Sequence, residues 1–245
     1  MLYLIGLGLN EKGITLEGIE ALKKCVRVYL EGYTVDFPYS VEKLEEIIGK
    51  KIKKLGRKEV ESDFLVNEAK KEDTALLVYG CPLFATTHET LLLDAKKDKV
   101  DAKVIYSASV FDAIGGSGLQ LYKFGKITSM PAWKKGFTPD SFMNIVSDNI
   151  RIKAHSLILC DIGLGIIDAL HQLQVASKNK KIKIGKIIIC SRLGTKESSV
   201  YYDTPENIKS KIKIEYSDID LPFCIILPSE MHFMEKEALE NVVKL

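Results

Sequence analysis

The sequence lacks most of the features that would assign a chain to a specialised class at sight. No two of the five cysteines (Cys25, Cys81, Cys160, Cys190 and Cys224) form a C-x-x-C pair, and their number is odd. That pattern argues against a structural zinc site and against a secreted disulfide scaffold. No apolar run approaches the ~20 residues of a membrane span, and no basic run precedes an apolar stretch at the N-terminus. A dominant charge is missing too: 35 Lys+Arg against 33 Asp+Glu leave a net charge of +2. A dedicated nucleic-acid binder normally carries a clear basic excess, so neither nucleic acid nor a membrane is expected as a partner. At 46% hydrophobic and 28% charged residues, disorder is excluded as well. What is left is a globular chain of 245 residues, long enough for one large or two compact domains. Such a chain buries an ordinary core and is expected in a reducing, cytoplasmic setting.

The first half alternates strand and helix signals. Leu2 to Ile5 is a short apolar run stopped by Gly6, and Thr15 can cap a helix with Leu16, Ile19, Leu22 and Val26 at helical spacing. A strand at 26–30 precedes a second helix, capped by Ser40 and closed by Gly49. The weak alternation at 51–55, a helix at 64–71 and the continuous apolar run Ala75 to Tyr79 follow. That last run has the pattern of a strand buried on both faces. A helix at 87–97 and a strand at 103–106 complete a series of βα units, which predicts a mostly parallel sheet. Ser109 and Asp112 fit a capping box, and Gly115, Gly116 and Gly118 beyond it suggest tight packing or a nearby ligand. Strands at 156–161, 186–191, 199–202 and 223–227, some without a long intervening helix, predict a mixed second sheet. We place the domain boundary near Phe124, giving domains 1–123 and 124–245.

Candidate chemistry gathers at strand ends. Gly6-Leu7-Gly8 follows the first strand as a dinucleotide fingerprint would, but Glu11 stands where the third glycine belongs. A plain tight turn is the alternative. Gly80 to His88 (GCPLFATTH) opens where the buried strand ends, the edge at which open α/β sheets bind ligands. Gly80 and Pro82 fix its turn, and Thr86 or Thr87 can cap the next helix; a rigid connecting loop is the other reading. Cys81 reads as a small buried residue more readily than as a nucleophile. His88-Glu89 is no zincin motif, because Leu92 occupies the place of the second histidine. The lysine-rich stretches 50–58 and 178–186 read as half-buried strands with solvated faces. His155 and His171 look like ordinary packing or surface residues, whereas His232, following the strand 223–227 and a turn, is a candidate strand-end contact.

Taken in order, these segments resemble the diphthine synthase family of the tetrapyrrole-methylase-type (class III) S-adenosylmethionine-dependent methyltransferases. The matching stretches are Met1 to Leu9, Gly80 to His88, Ser107 to Val110 and Gly118 to Gly125. His155 to Ile162, Ser191 to Gly194 and the His232 region extend the likeness along the chain. The resemblance implies an α/β fold of two domains, with a mostly parallel N-terminal sheet, a mixed C-terminal sheet and a cofactor cleft between them. It implies a homodimer that binds S-adenosyl-L-methionine, releases S-adenosyl-L-homocysteine and needs no metal. The acceptor it implies is the aminocarboxypropyl-modified histidine of translation elongation factor 2, methylated in diphthamide biosynthesis to diphthine or its methyl ester. The wording around 27–31 and 119–124 leans towards the ester-forming members. Cofactor contacts carried across are Leu9, Phe84, Ser109, Val110, Cys160, Asp161, Leu193 and His232, with Cys81 at the position where the family has aspartate. No catalytic base is assigned. Methylation of a tetrapyrrole precursor, or non-catalytic binding of the elongation factor through a lapsed cofactor site, are the alternative functions.

Overall fold

The computed structural model describes residues 1–212 and 219–241. The chain divides into two compact units, Met1–Asp112 and Ala113–Leu245.

The first unit is built on five parallel strands: β1 (Leu2–Gly6), β2 (Arg27–Glu31), β3 (Lys53–Leu55), β4 (Thr74–Val78) and β5 (Ala102–Ile105), in the order β3-β2-β4-β1-β5. Successive side chains of a strand alternate between faces. Leu2, Leu4, Leu76 and Val78 therefore meet one set of helices, α3 (Arg57–Val60), α4 (Phe64–Ala69) and α5 (Glu89–Lys97). Tyr3, Ile5, Ala75 and Leu77 meet the other set, α1 (Leu16–Lys24) and α2 (Val41–Ile48). The continuous apolar runs of β1 and β4 thus follow from burial on both faces. Thr15 caps α1 through its hydroxyl, Ser40 caps α2, and Gly49 closes α2 in the left-handed region at φ 67°. Neither Thr86 nor Thr87 caps α5, whose first flanking residue is His88. Thr86 instead accepts from the His88 N–H, and the Thr87 carbonyl accepts from Thr90.

The second unit carries β6 (Thr128–Met130), β7 (Ser156–Cys160), β8 (Ile187–Ser191), β9 (Ser199–Asp203) and β10 (Phe223–Leu227), in the order β6-β7-β10-β8-β9. The β6–β7 pair is parallel and the other neighbours are antiparallel, so the sheet is mixed. Its main core joins Met130, Ile158, Ile189 and Ile225 to the helices Phe142–Arg151, Ile166–Asn179 and Pro205–Lys211. Residues 113–123, which the sequence reading attaches to the first domain, pack within this second unit. A side chain on Gly118 would come within 2.7 Å of Ala238 on the last helix, Phe233–Asn241, and the Gln120 N–H donates to Glu235 of the same helix. Gly115 and Gly116 lie in the 3-10 turn Ile114–Ser117 that follows the short helix Val110–Ala113, and the tight packing expected of the glycines falls on Gly118. All five cysteines are free, and Cys25, Cys81, Cys190 and Cys224 are buried.

Candidate functional site

Because β1 lies between β4 and β5 and all three run parallel, their carboxyl ends emerge side by side. The loops that follow close on one another through backbone. The Gly80 N–H donates to the Gly8 carbonyl at 2.9 Å, and the Gly8 N–H donates back to Gly80 at 3.3 Å. A Cβ on Gly6 would sit 2.7 Å from the Gly80 carbonyl oxygen and 3.0 Å from the Ser107 N, so only glycine lets the three loops meet. Gly8, at φ +68°, turns the chain back onto Gly13, whose carbonyl accepts from the Ser107 hydroxyl at 2.8 Å. The close helix approach that a third fingerprint glycine would supply at position 11 comes from Gly18, which packs against Ile5 and Ile14.

This edge gathers Leu9, Cys81, Phe84, Ser109 and Val110. The Leu9 carbonyl accepts from the Tyr79 hydroxyl at 3.2 Å. Cys81 is buried, and its carbonyl accepts from the Phe84 N–H. Phe84 is 47% exposed and meets Phe111 edge to face at 5.4 Å. Ser109 is buried; Asp112 accepts from its N–H at 2.7 Å and from its hydroxyl at 3.0 Å, one half of the expected capping box, while the hydroxyl accepts from the Phe111 N–H at 3.2 Å rather than from that of Asp112. The Ser109 hydroxyl proton is therefore committed to the fold, and so is one of its lone pairs. His88 is buried with Nδ1 on the Pro82 carbonyl at 2.9 Å, so Nδ1 carries the proton and Nε2 is left without a partner among the described residues.

The second unit places its candidates at both ends of its sheet. Cys224 of β10 faces Leu159 and Cys190, so Cys160 at the end of β7, Asp161 just after it and Leu193 after β8 lie towards one end. Leu227, the last residue of β10, faces Ser156, the first of β7, so His232 follows from the other end. Cys160 is half-buried, and burial holds its thiol well above the ordinary value, with Cys224 and Asp161 adding to the effect. Asp161 accepts from the Ala132 N–H, while its own N–H donates to Met130. His232 is exposed, with its ring against Phe233 at 4.2 Å.

Beneath His232 lies a group that sequence reasoning passed over. Glu235 is fully buried and accepts from the His232 N–H (2.7 Å), the Lys123 ammonium (2.7 Å), the Gln120 N–H (2.9 Å) and His155 Nε2 (3.0 Å). His155 accepts at Nδ1 from the Ser229 N–H, so its proton is on Nε2. Burial would raise the Glu235 pKa, but these donors outweigh it and hold the carboxyl at about 2. Burial in turn lowers the His155 pKa, against the pull of Glu235. Both groups bind protons more readily in the unfolded chain, so both contributions to stability are lost in acid. The His155 contribution fades as the pH falls below about 6.5, and that of Glu235 as it falls from 4.5 towards 2. We expect the denaturant midpoint of this unit to be level above pH 7 and to drop steadily below pH 6, as followed by equilibrium unfolding.

An edge of paired glycine turns, with apolar side chains and backbone polar groups, suits a nucleoside-bearing ligand held through backbone contacts. Among the described residues, no three His, Cys, Asp or Glu side chains gather as a metal site, and no helix is long and apolar enough to cross a membrane.

The pattern of the Tetrapyrrole (Corrin/Porphyrin) Methylases matches residues 1–208, and the chain belongs to that family. Within it, the chain is 35% identical to a diphthine synthase of Methanocaldococcus jannaschii, over 98% of each chain. It is 45% identical to a diphthine methyl ester synthase of Schizosaccharomyces pombe over 66% of its own length, a match spanning 58% of that relative. A solved diphthine synthase superposes with a TM-score of 0.88 at 31% identity, covering 99% of this chain and 96% of that one.

Proposed function

We propose that the chain is an S-adenosylmethionine-dependent methyltransferase of the diphthine synthase type. Its acceptor is the aminocarboxypropyl-modified histidine of translation elongation factor 2, and its product is diphthine or diphthine methyl ester. The reading carries with it a homodimer, a cytoplasmic setting and no metal. The observation that bears it is the edge where the β1, β4 and β5 loops close through Gly6, Gly8 and Gly80. Likeness to diphthine synthases along nearly the whole chain favours this acceptor over a tetrapyrrole precursor.

When bound, the donor supplies a methyl carbon activated by its sulfonium. The work left to the protein is to orient that carbon and to exclude water. Leu9 and Phe84 would provide apolar contact, Gly80 and Cys81 close backbone approach, and Ser109 with Val110 the facing wall. Cys160, Asp161, Leu193 and His232 are the contacts proposed from the second unit. A carboxylate acceptor needs no base; an amine acceptor must first lose its proton.

Titration calorimetry with S-adenosylhomocysteine, using NAD as the control, tests the proposal. Saturable binding of the sulfur ligand alone is expected. A folded protein that binds none at millimolar concentration would overturn the enzyme reading and leave the non-catalytic binder. Cys81→Asp is expected to tighten binding by about tenfold or more, since a charge-assisted hydrogen bond is worth about 1.5–3 kcal/mol. Unchanged affinity would show that the ligand does not meet this side chain.

A further inference from the structure

Residues 131–140 form a braced projection whose end is unused by the fold. Lys134 and Phe137 exchange backbone hydrogen bonds at 3.0 and 2.9 Å, closing a hairpin over Lys135 and Gly136, with Gly136 at φ +78°. The base is tied down on every side. The Trp133 indole N–H donates to the Pro139 carbonyl at 3.0 Å, and the Trp133 N–H donates to Gln172, whose amide returns a bond to the Pro131 carbonyl. Asp140 pairs with Lys180 at 3.1 Å, and the Ala132 N–H is held by Asp161. The tip is the opposite. Residues 134–138 are exposed, Phe137 at 57%, and nothing lies within 4 Å of where a Gly136 side chain would be. Lys134 and Lys135 have no ion-pair partner among the described residues.

Order without local reward needs a reason. A turn closed by its own backbone hydrogen bonds, displaying an aromatic ring beside two cations, lowers the backbone part of the ordering cost that otherwise weakens an interface. An exposed aromatic ring is also the kind of anchor that fills a pocket at an interface centre, with charged groups at its rim. From this we infer that the 134–137 tip is a docking element for the protein acceptor, seating Phe137 in an apolar pocket rimmed by carboxylates. The inference rests on the proposed function, and the bond from the Ala132 N–H to the Asp161 carboxylate ties the projection to a residue proposed to meet the donor. Two lysines on a chain of net charge +2 are too few for a nucleic-acid surface, which leaves an acidic protein surface as the partner.

The test compares the wild type with Lys134→Glu/Lys135→Glu and with Phe137→Ala. The acceptor is elongation factor 2 carrying the aminocarboxypropyl-histidine, followed by methyl transfer and by direct binding. We expect each variant to raise the acceptor KM and Kd about tenfold or more. Saturated turnover, S-adenosylhomocysteine affinity and melting temperature should stay at wild-type values. Added salt should weaken acceptor binding by the wild type and much less so by the charge-reversal variant. Acceptor affinities within about twofold of wild type for both variants would overturn the inference, as would loss of affinity for an RNA oligonucleotide instead. A wild type that binds the acceptor without methylating it would sink the proposed reaction while the tip is judged on Kd. One that does neither would sink both.

Discussion

Replacing Glu235 with alanine is expected to destabilise the second unit by about 3–5 kcal/mol, the cost of removing one partner from a buried ion pair. The carboxylate is fully buried and serves donors from four residues, Gln120, Lys123, His155 and His232. Alanine would leave the His155 Nε2–H and two backbone N–H groups without their acceptor, and would strip Lys123 of its carboxylate partner. Lys123 keeps one bond, to the Glu230 carbonyl, which limits the loss on that arm. Glu235→Gln retains an acceptor oxygen but gives up the charge, so a smaller loss is expected. It should also flatten the part of the stability profile between pH 4.5 and 2 that Glu235 supplies. Urea unfolding of the three proteins at pH 7 and pH 4 separates these effects. Equal stability of wild type and Glu235→Ala would show that the buried network contributes nothing net.

Gly6→Ala is expected to weaken binding of the sulfur ligand and to cut methyl transfer about a hundredfold, the rate cost of a misplacement of about 1 Å. The added methyl would meet the Gly80 carbonyl at 2.7 Å and Ser107 backbone and side chain at 3.0 Å. Those neighbours are mostly main chain, so relief requires moving the β4 and β5 loops that carry the proposed contacts. The folding cost should be only about 1–3 kcal/mol, typical of overpacking. Gly18→Ala is the control. Its methyl would meet side-chain carbons of Ile14 and Ile5 at 3.0 and 3.1 Å, which can give way without moving the Gly80 or Ser107 backbone. Calorimetry on both variants decides the matter: a Gly6→Ala protein with wild-type affinity would place the ligand elsewhere.

Much of the first unit was legible because its determinants are local. Thr15, Ser40 and Gly49 announce helix ends through their own chemistry, and the apolar runs of β1 and β4 announce burial on both faces. The strand-end glycines marked the edge where the loops meet, although Gly13 and Gly18, which complete it, gave no spaced motif. The four-residue helix Arg57–Val60 is too short to show a period. The second unit hides more because strand direction there is settled by distant partners. Nothing near His232 reveals that its strand runs against β7 and β8. Glu235, a charged residue in a charged C-terminal stretch, looks solvated until Lys123 and His155 are brought against it. Gly118 and Gln120 likewise find their partners more than a hundred residues later in sequence.

The placement of the cysteines makes the chain its own reporter of opening. Cys25 and Cys81 are sealed in the first unit, Cys190 and Cys224 in the second, and Cys224 sits directly opposite Cys190 across β8 and β10. Thiol–thiol hydrogen bonding to Cys224, and then burial, push the Cys190 thiol well above its ordinary value, and burial takes Cys25 to about 11. Alkylating reagents attack thiolates they can reach, so these sulfurs wait for the structure around them to open. Pulsed alkylation read by peptide mass would therefore time the breathing of each sheet separately, with no label introduced, and would show which unit a bound ligand steadies.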